Sequence, residues 1–369
     1  MSLLIALIGL LPAGPSGELA FVSGTEQEDL CVFVMDLSTG ATHRVGHGAR
    51  DGAPQWSPDG RSLAFESVQP GGIGIRIVQA DGSQARALRH HYAWNHDPRW
   101  SPDGRLLAYT ADRDMGMEQT LLVYDLETDQ EESWGGDPAT PPAWTGAFRP
   151  VWLPTTDLMT YLAPGQDFSE NAFDPSVLKA EAEDSGVIVF IALVGQPGSY
   201  STEIFLATRT QAVPLLPILV KDSPRFTEWA IEPNAQGRRL AFESNDGGDR
   251  EIFAIGTRGM TDVSNHRAAD WNPVWAPGGK WLAFESFRDG RRGVYRCFPD
   301  TARVFPVATS PNYDSWSPAW SPDDQWLAFV SNRTGNPEIF VSDPTGDHLQ
   351  QVTQNPGLDY APAWRPRGK

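Results

Sequence analysis

Helical periodicity is the first thing this sequence lacks. The best helical candidate, DPSVLKAEAED from Asp174 to Asp184, is short, so a helical bundle is excluded. Cysteine is scarce as well. Cys31 and Cys297 stand alone, with no CxxC pair, which excludes a disulfide framework and a cysteine-based zinc site. No HExxH, EF-hand loop or glycine-rich phosphate loop occurs, and no GxSxG nucleophile elbow. The stretch GGIGIRIVQADG, Gly71 to Gly82, follows a strand pattern but opens no helix and lacks GxGxxG. Long apolar runs are missing too. Leu3 to Leu11 is apolar but too short to span a bilayer, and no other stretch comes closer. That run resembles the middle of a signal peptide without its basic start, so residues 1–15 read either as a signal or anchor remnant or as a tail packed on the first blade. Basic residues are outnumbered, 29 Lys and Arg against 47 Asp and Glu, for a formal net charge of −18. Such a chain repels phosphate backbones and anionic membrane surfaces, which argues against a nucleic-acid partner.

What the sequence has in quantity is aromatic residues and turn formers. Among 369 residues there are 14 Trp, 35 Gly and 31 Pro, a mix that suits many short strands joined by tight turns. One phrase recurs: PQWSPDGRSLAFESVQP from Pro54, PRWSPDGRLLAYTADRD from Pro98 and PAWSPDDQWLAFVSNRT from Pro318. Taking its Trp as anchor, Pro follows at +2, an aliphatic residue at +7 and an aromatic at +9. Trp56, Trp100, Trp275 and Trp320 head full copies. A weaker copy is Trp152, Pro154, Met159 and Tyr161. Another starts at Ile231 with Pro233, where a two-residue insertion delays Leu240 and Phe242. Trp364 and Pro366 begin a half-copy at the end.

These anchors stand 44, 52, 79, 44, 45 and 44 residues apart, a period that belongs to propellers and solenoids. Each unit offers four strand patterns separated by Pro and Asp-Gly turns, which makes an antiparallel propeller blade. The chain opens with three strand patterns lacking a first strand and closes with APAWRP, a first strand lacking the other three. Joining the two removes the exposed sheet edges. The expected fold is therefore all-β: one propeller over residues 16–369 with seven four-stranded blades, eight or six being the alternatives, and an acidic insertion near 164–186. By this count Cys31 and Cys297 fall in blades that are not neighbours.

The residues WSPDG with LAFES or LAFVS, and NRTGNPEIFVSD from Asn332 to Asp343, resemble the TolB-like, PD40-type propeller family. The likeness covers most of residues 18–367, with 141–228 eroded. It implies an extracytoplasmic (periplasmic, secreted or surface-anchored) binding protein with a protein or peptide partner. Similar propellers precede serine-peptidase domains; here no hydrolase is expected after Lys369. The repeat marks architecture, and function has to be argued from the loops.

The loops before each anchor carry the candidates. Asp51, Asp270 and Asp359 stand five residues ahead of their anchors, Asn95 takes the same place, and Asp314 stands six ahead. At four residues ahead come His96, Trp271, Trp316 and Tyr360, with Trp94 in one of the same loops. In a closed ring these loops converge on the mouth of the central channel. Carboxylates interleaved with aromatics there would hold a basic peptide, a sugar or a cation; turn chemistry and blade-edge cover are the alternative use of the same residues. His47, His91 and His266 share one repeat position, nine before an anchor, and would ligate a divalent metal only by lining that mouth. No catalytic residue and no cofactor is assigned. The preferred reading is a non-enzymatic binding module using the channel-mouth face, with a metal-dependent polysaccharide lyase or hydrolase as the competing class.

Overall fold

Each copy of the repeated phrase folds as strand, turn, strand, and the chemistry of the turn is visible in its hydrogen bonds. The Ser57 hydroxyl donates to Asp59 (2.7 Å) and accepts the Ser62 N–H (2.9 Å), while Asp59 accepts the Arg61 N–H (3.0 Å). Ser101 with Asp103 and Ser321 with Asp323 repeat the arrangement. Gly60, Gly104 and Gly279 end their turns in the left-handed region. Asp324 holds that place in the copy at Trp320, with φ 61°, and its carboxylate accepts the Gly278 N–H of the blade before (2.9 Å). The structure, a computed structural model, describes residues 14–25, 29–46, 48, 50–88, 92–112, 119–136, 144–154, 175–195, 200–215, 228–245, 248–256 and 259–368.

Seven blades of four antiparallel strands result, numbered here by their anchors from Trp56 (blade 1) to Trp364 (blade 7). Blade 5 shows the order: Asp270–Trp275, Leu282–Ser286, Gly293–Phe298 and Arg303–Ala308, each paired to the next. The second strands are buried along their whole length in blades 4, 5 and 6 because neighbouring blades cover both faces. Blades 1 and 2 also touch through a parallel bridge between Ile73 and Trp94. The innermost strands are Gln55–Trp56, Trp94–Trp100, Gly146–Trp152, Glu228–Pro233, Asp270–Trp275, Ser315–Trp320 and Leu358–Trp364. Each touches the next, and the last touches the first, so the ring closes. Closure works as the sequence implied: Leu358–Trp364 pairs with Glu18–Gly24, setting Trp364 opposite Leu19. Cys31 in blade 7 and Cys297 in blade 5 are buried and unbridged.

The anchors hold the ring together. Trp100 donates its indole N–H to the Gln55 carbonyl (3.0 Å), Trp152 to Arg99 (3.1 Å), Trp275 to Glu232 (3.0 Å), Trp320 to Val274 (3.1 Å) and Trp364 to Ala319 (3.0 Å). In each case the acceptor belongs to the inner strand of the preceding blade, so the indole both fills the seam and satisfies a carbonyl there.

Two expectations from the repeat need correction. In blade 3 Met159 and Tyr161 lie outside the described residues, and the second strand comes later in the chain. Trp152 pairs with Ile188, and Ile188–Val194 is the second strand, so the insertion sits inside the first turn of the blade and carries the helix Pro175–Ser185. In blade 4 the anchor position belongs to Pro233, which pairs with Leu240 as Trp275 pairs with Leu282. Asn234 then replaces the turn serine, its side-chain oxygen accepting the N–H groups of Arg238 (2.8 Å) and Arg239 (3.0 Å). No two-residue insertion exists. Proline has no N–H to give the preceding strand, and the seam of blades 3 and 4 is filled instead by a large apolar cluster including Leu153, Val189, Ile191, Ile231, Leu240 and Phe242.

Candidate functional site

The site is the mouth of the central channel, on the face opposite the Ser-Pro-Asp-Gly turns. The residues five before each anchor point into the blades. Asp51, Asn95, Asp270 and Asp359 are all buried. Asp51 accepts from the Ser67 hydroxyl (2.8 Å), Asn95 donates to the carbonyls of Ile73 (2.9 Å) and Tyr92 (3.0 Å), Asp270 pairs with Arg288 (3.2 Å) and Asp359 accepts from Asn355 (2.6 Å). Burial pushes the Asp51 carboxyl above its ordinary range. Ser315 takes the equivalent place in blade 6, so Asp314 lies one residue outward and pairs with Arg291 (3.1 Å). Asp51, Asp270 and Asp359 secure loops from within the blades, while Asp314 is partly exposed.

The residues four before each anchor are the ones that reach it. Trp271, Trp316, Tyr360 and His96 are half-buried there, as is Trp94 nearby. Phe148 and Trp229 occupy the same position in blades 3 and 4, and sequence reasoning missed both. The signal for Trp229 was present: reading PNAQG as a copy of WSPDG moves the anchor to Pro233 and puts Trp229 in line.

The next residue creates the local geometry. Asp97, Arg149, Asn272, Ser317 and Ala361, three before their anchors, have φ between 49° and 54°, and a β-bulge interrupts each of these inner strands. The bulge turns a backbone N–H away from its own sheet, and a glutamate of the preceding blade receives it. Asp97 N–H donates to Glu66 (2.9 Å), Asn272 N–H to Glu243 (2.6 Å) and Ser317 N–H to Glu285 (2.8 Å). The glutamate of the LAFES motif is therefore an inter-blade clamp. Glu243 and Glu285 are buried and also pair with Arg250 (3.3 Å) and Arg292. Burial raises Glu243 despite those contacts, and burial lowers Arg250. Glu66 takes His96 as partner (3.3 Å), and this hydrogen bond raises the imidazole above its usual value.

A cavity of about 870 Å³ opens between these groups, lined by Phe148, Trp229, Trp271, Arg149, Arg250 and Arg292 among others. The Arg250 guanidinium lies 3.7 Å from the centre of the Trp229 ring, and that of Arg292 5.6 Å from Trp316. With the carboxylates committed beneath, arginines and rings form the accessible surface. The mouth thus offers planar cation donors on aromatic platforms, which fits acidic rather than basic groups. His47 and His91 lie outside the described residues, and the His266 Nδ1 accepts the Ala268 N–H (3.1 Å). Among the described residues no three His, Cys, Asp or Glu side chains are grouped to hold a metal, and no helix is long and apolar enough to cross a membrane.

The TolB beta propeller domain family, PD40, matches residues 13–157. A TolB homolog from Chlorobium chlorochromatii is 31% identical over 279 residues, covering 70% of this chain and 62% of its own length. An Agrobacterium fabrum protein is 32% identical over 75 residues, or 26% of its length. The chain thus spans less than two thirds of either relative. Among solved structures, the β-propeller domain of the Trilobed protease from Pyrococcus furiosus superposes with a TM-score of 0.63 at 13% identity, covering 92% of this chain and 96% of that one. A Pyrococcus horikoshii acylaminoacyl peptidase gives 0.60 at 12% identity, with 92% and 51% covered. At such identities the likeness establishes the fold alone. Repeat, register and ring closure agree: the chain is a seven-bladed β-propeller, similar over residues 13–157 to the TolB beta propeller domain family.

Proposed function

We propose that this propeller is a non-catalytic binding module that works outside the cytoplasm and captures a protein or peptide through its channel-mouth face. The observation that carries the reading is the 870 Å³ cavity lined by Arg149, Arg250 and Arg292 together with Trp229, Trp271 and Phe148, with Arg250 lying over the Trp229 ring. Aromatic residues and arginine are the side chains that contribute most to protein recognition, because they bury large area and bond bidentately at small entropic cost. The rigid inner ring supports them, so little ordering is needed on binding. The segment received is an acidic one with an aromatic or aliphatic side chain for the platform, a reversal of the basic ligand that the sequence alone suggested.

Affinity capture from a lysate of the source cells tests this, with Trp229→Ala/Trp271→Ala as control bait. A partner held by the wild type and lost by the control supports the face as its site. The same partner on both baits removes it. Stoichiometric zinc or calcium binding that disappears in His91→Ala would instead move the chain to the lyase or hydrolase class.

A further inference from the structure

A second surface stands out on the opposite side of the molecule, at the seam of blades 5 and 6. Register places Leu282 opposite Cys297, which brings Trp281 beside Phe298. Their rings stack at 3.5 Å with an interplanar angle of 29°. Phe305, from the fourth strand, stands edge-on to both, 5.9 Å from Trp281 and 6.1 Å from Phe298. All three rings are partly exposed.

Three cations lie over this cluster. The Arg296 guanidinium is 3.9 Å from the Trp281 ring centre and 5.1 Å from Phe305. Arg303 is 4.9 Å from Phe305, and the Lys280 ammonium 5.5 Å from Phe298. Lys280 and Arg303 are exposed. In a chain with 47 acidic and 29 basic residues a cation readily finds a carboxylate, as Arg239, Arg288, Arg292 and Arg365 do. Lys280, Arg296 and Arg303 have no ion-pair partner among the described residues. Arg296 adds an independent sign: it is 9% exposed, and its buried Nε has no hydrogen-bond partner there. Burial lowers its pKa, opposed only by the charge of Asp343. A guanidinium stacked flat on an indole keeps its edge donors for an anion.

We propose that this face of blade 5 is a second docking surface, taking an acidic protein segment whose carboxylates meet Lys280, Arg296 and Arg303 while an apolar side chain covers Trp281 and Phe305. Charge complementarity is local. The net charge of −18 repels an extended polyphosphate, whereas three cations match the few carboxylates of a short peptide. The rings supply apolar area that a bare anion would not use. The surface lies away from the channel mouth and is independent of the function proposed for it.

Fluorescence anisotropy with a labelled decapeptide rich in Asp and Glu and holding one Phe tests the assignment, beside a version with Lys in place of the acids. Wild type is expected to bind the acidic peptide saturably and not the Lys version, with affinity falling as salt rises. Trp229→Ala/Trp271→Ala removes the mouth's own platform for acidic segments, and this variant is expected to keep saturable binding of the peptide at the patch. Introduced into the Trp229→Ala/Trp271→Ala variant, so that the mouth does not contribute, Lys280→Glu/Arg303→Glu changes two exposed side chains and is expected to weaken binding at least tenfold without lowering the melting temperature of its parent. Binding left unchanged when Lys280→Glu/Arg303→Glu is added to the Trp229→Ala/Trp271→Ala variant, absence of saturable binding, or complete loss of binding in Trp229→Ala/Trp271→Ala alone would each overturn the proposal. So would equally tight, patch-dependent binding of a single-stranded oligonucleotide or of anionic vesicles.

Discussion

The indole N–H of Trp56 donates to the carbonyl of Ala363 across 3.0 Å, joining residues 307 positions apart. It joins the inner strands of blades 1 and 7, beside the bond from the Asp51 N–H to the Leu30 carbonyl (2.9 Å). Replacing Trp56 by Phe removes the donor and keeps most of the ring. The Ala363 carbonyl is left without it at a crowded seam, at an expected cost of about 1–3 kcal/mol. Urea unfolding reads this as a lower midpoint with an unchanged slope. No change in midpoint would mean that the indole bond does not support closure.

One seam lacks such a bond. Pro233 cannot donate an indole bond to the inner strand of blade 3, and an apolar cluster packs blades 3 and 4 together there. Hydrogen exchange is expected to be faster in Glu228–Pro233 than in Ser315–Trp320, whose anchor bonds Val274. Equal protection of the two strands would show that the apolar cluster fully replaces the missing bond.

Buried acids set the pH response. Burial and the neighbouring Asp270 push Glu251 up to about 8, and burial pushes Glu232 up to about 7, both from 4.5. Each raised group binds its proton more tightly in the folded state. The stability it contributes is complete below pH 4.5 and is lost as pH rises to about 8 for Glu251 and about 7 for Glu232. Denaturant melts from pH 4 to 9 should therefore show stability falling over that window, by at most about 1.4 kcal/mol per pH unit for each group. Glu251→Gln should flatten the upper part of the curve. A wild-type curve that rises through this window would contradict the assignment.

Glu285 and Trp271 should separate under mutation although both line the same cavity. Glu285 accepts the Ser317 N–H and the Asn272 amide (2.9 Å) and pairs with Arg292. Glu285→Ala strands those donors and is expected to cost about 3–5 kcal/mol, read in a thermal melt. Trp271→Ala, at a half-buried position, should lose partner capture at a smaller loss of stability. If both variants melted alike, the clamp role of Glu285 would fall.

Much of the architecture was legible because it depends on local chemistry repeated seven times. Turn residues, strand alternation and the Trp period are properties of a few neighbouring residues, and they led to blade type, blade count and the closing strand. Legibility failed where the pattern was locally degraded. Ile231 and Pro233 imitate an anchor and its proline, yet strand pairing puts Pro233 in the anchor position. Met159 and Tyr161 imitate a second strand, yet Ile188–Val194 pairs with Trp152. Register is settled by which strand is available to pair, and that is a contact between distant segments.

The candidate site divides the same way. From sequence alone came the ring, the convergence of the pre-anchor loops and the presence there of Trp271, Trp316 and Tyr360. Only the tertiary structure decided which side chains face outward. Asp51, Asp270 and Asp359 are buried in the blades, and a bulge three residues before the anchor in blades 2, 5 and 6 commits the LAFES glutamates to backbone N–H groups, leaving arginines on the surface. An Asp five residues before a Trp reads identically whether it is buried or exposed. Burial is fixed by tertiary packing, and the partners are residues distant in sequence, Ser67 for Asp51 and Arg288 for Asp270, which only the folded blade brings to the carboxylate.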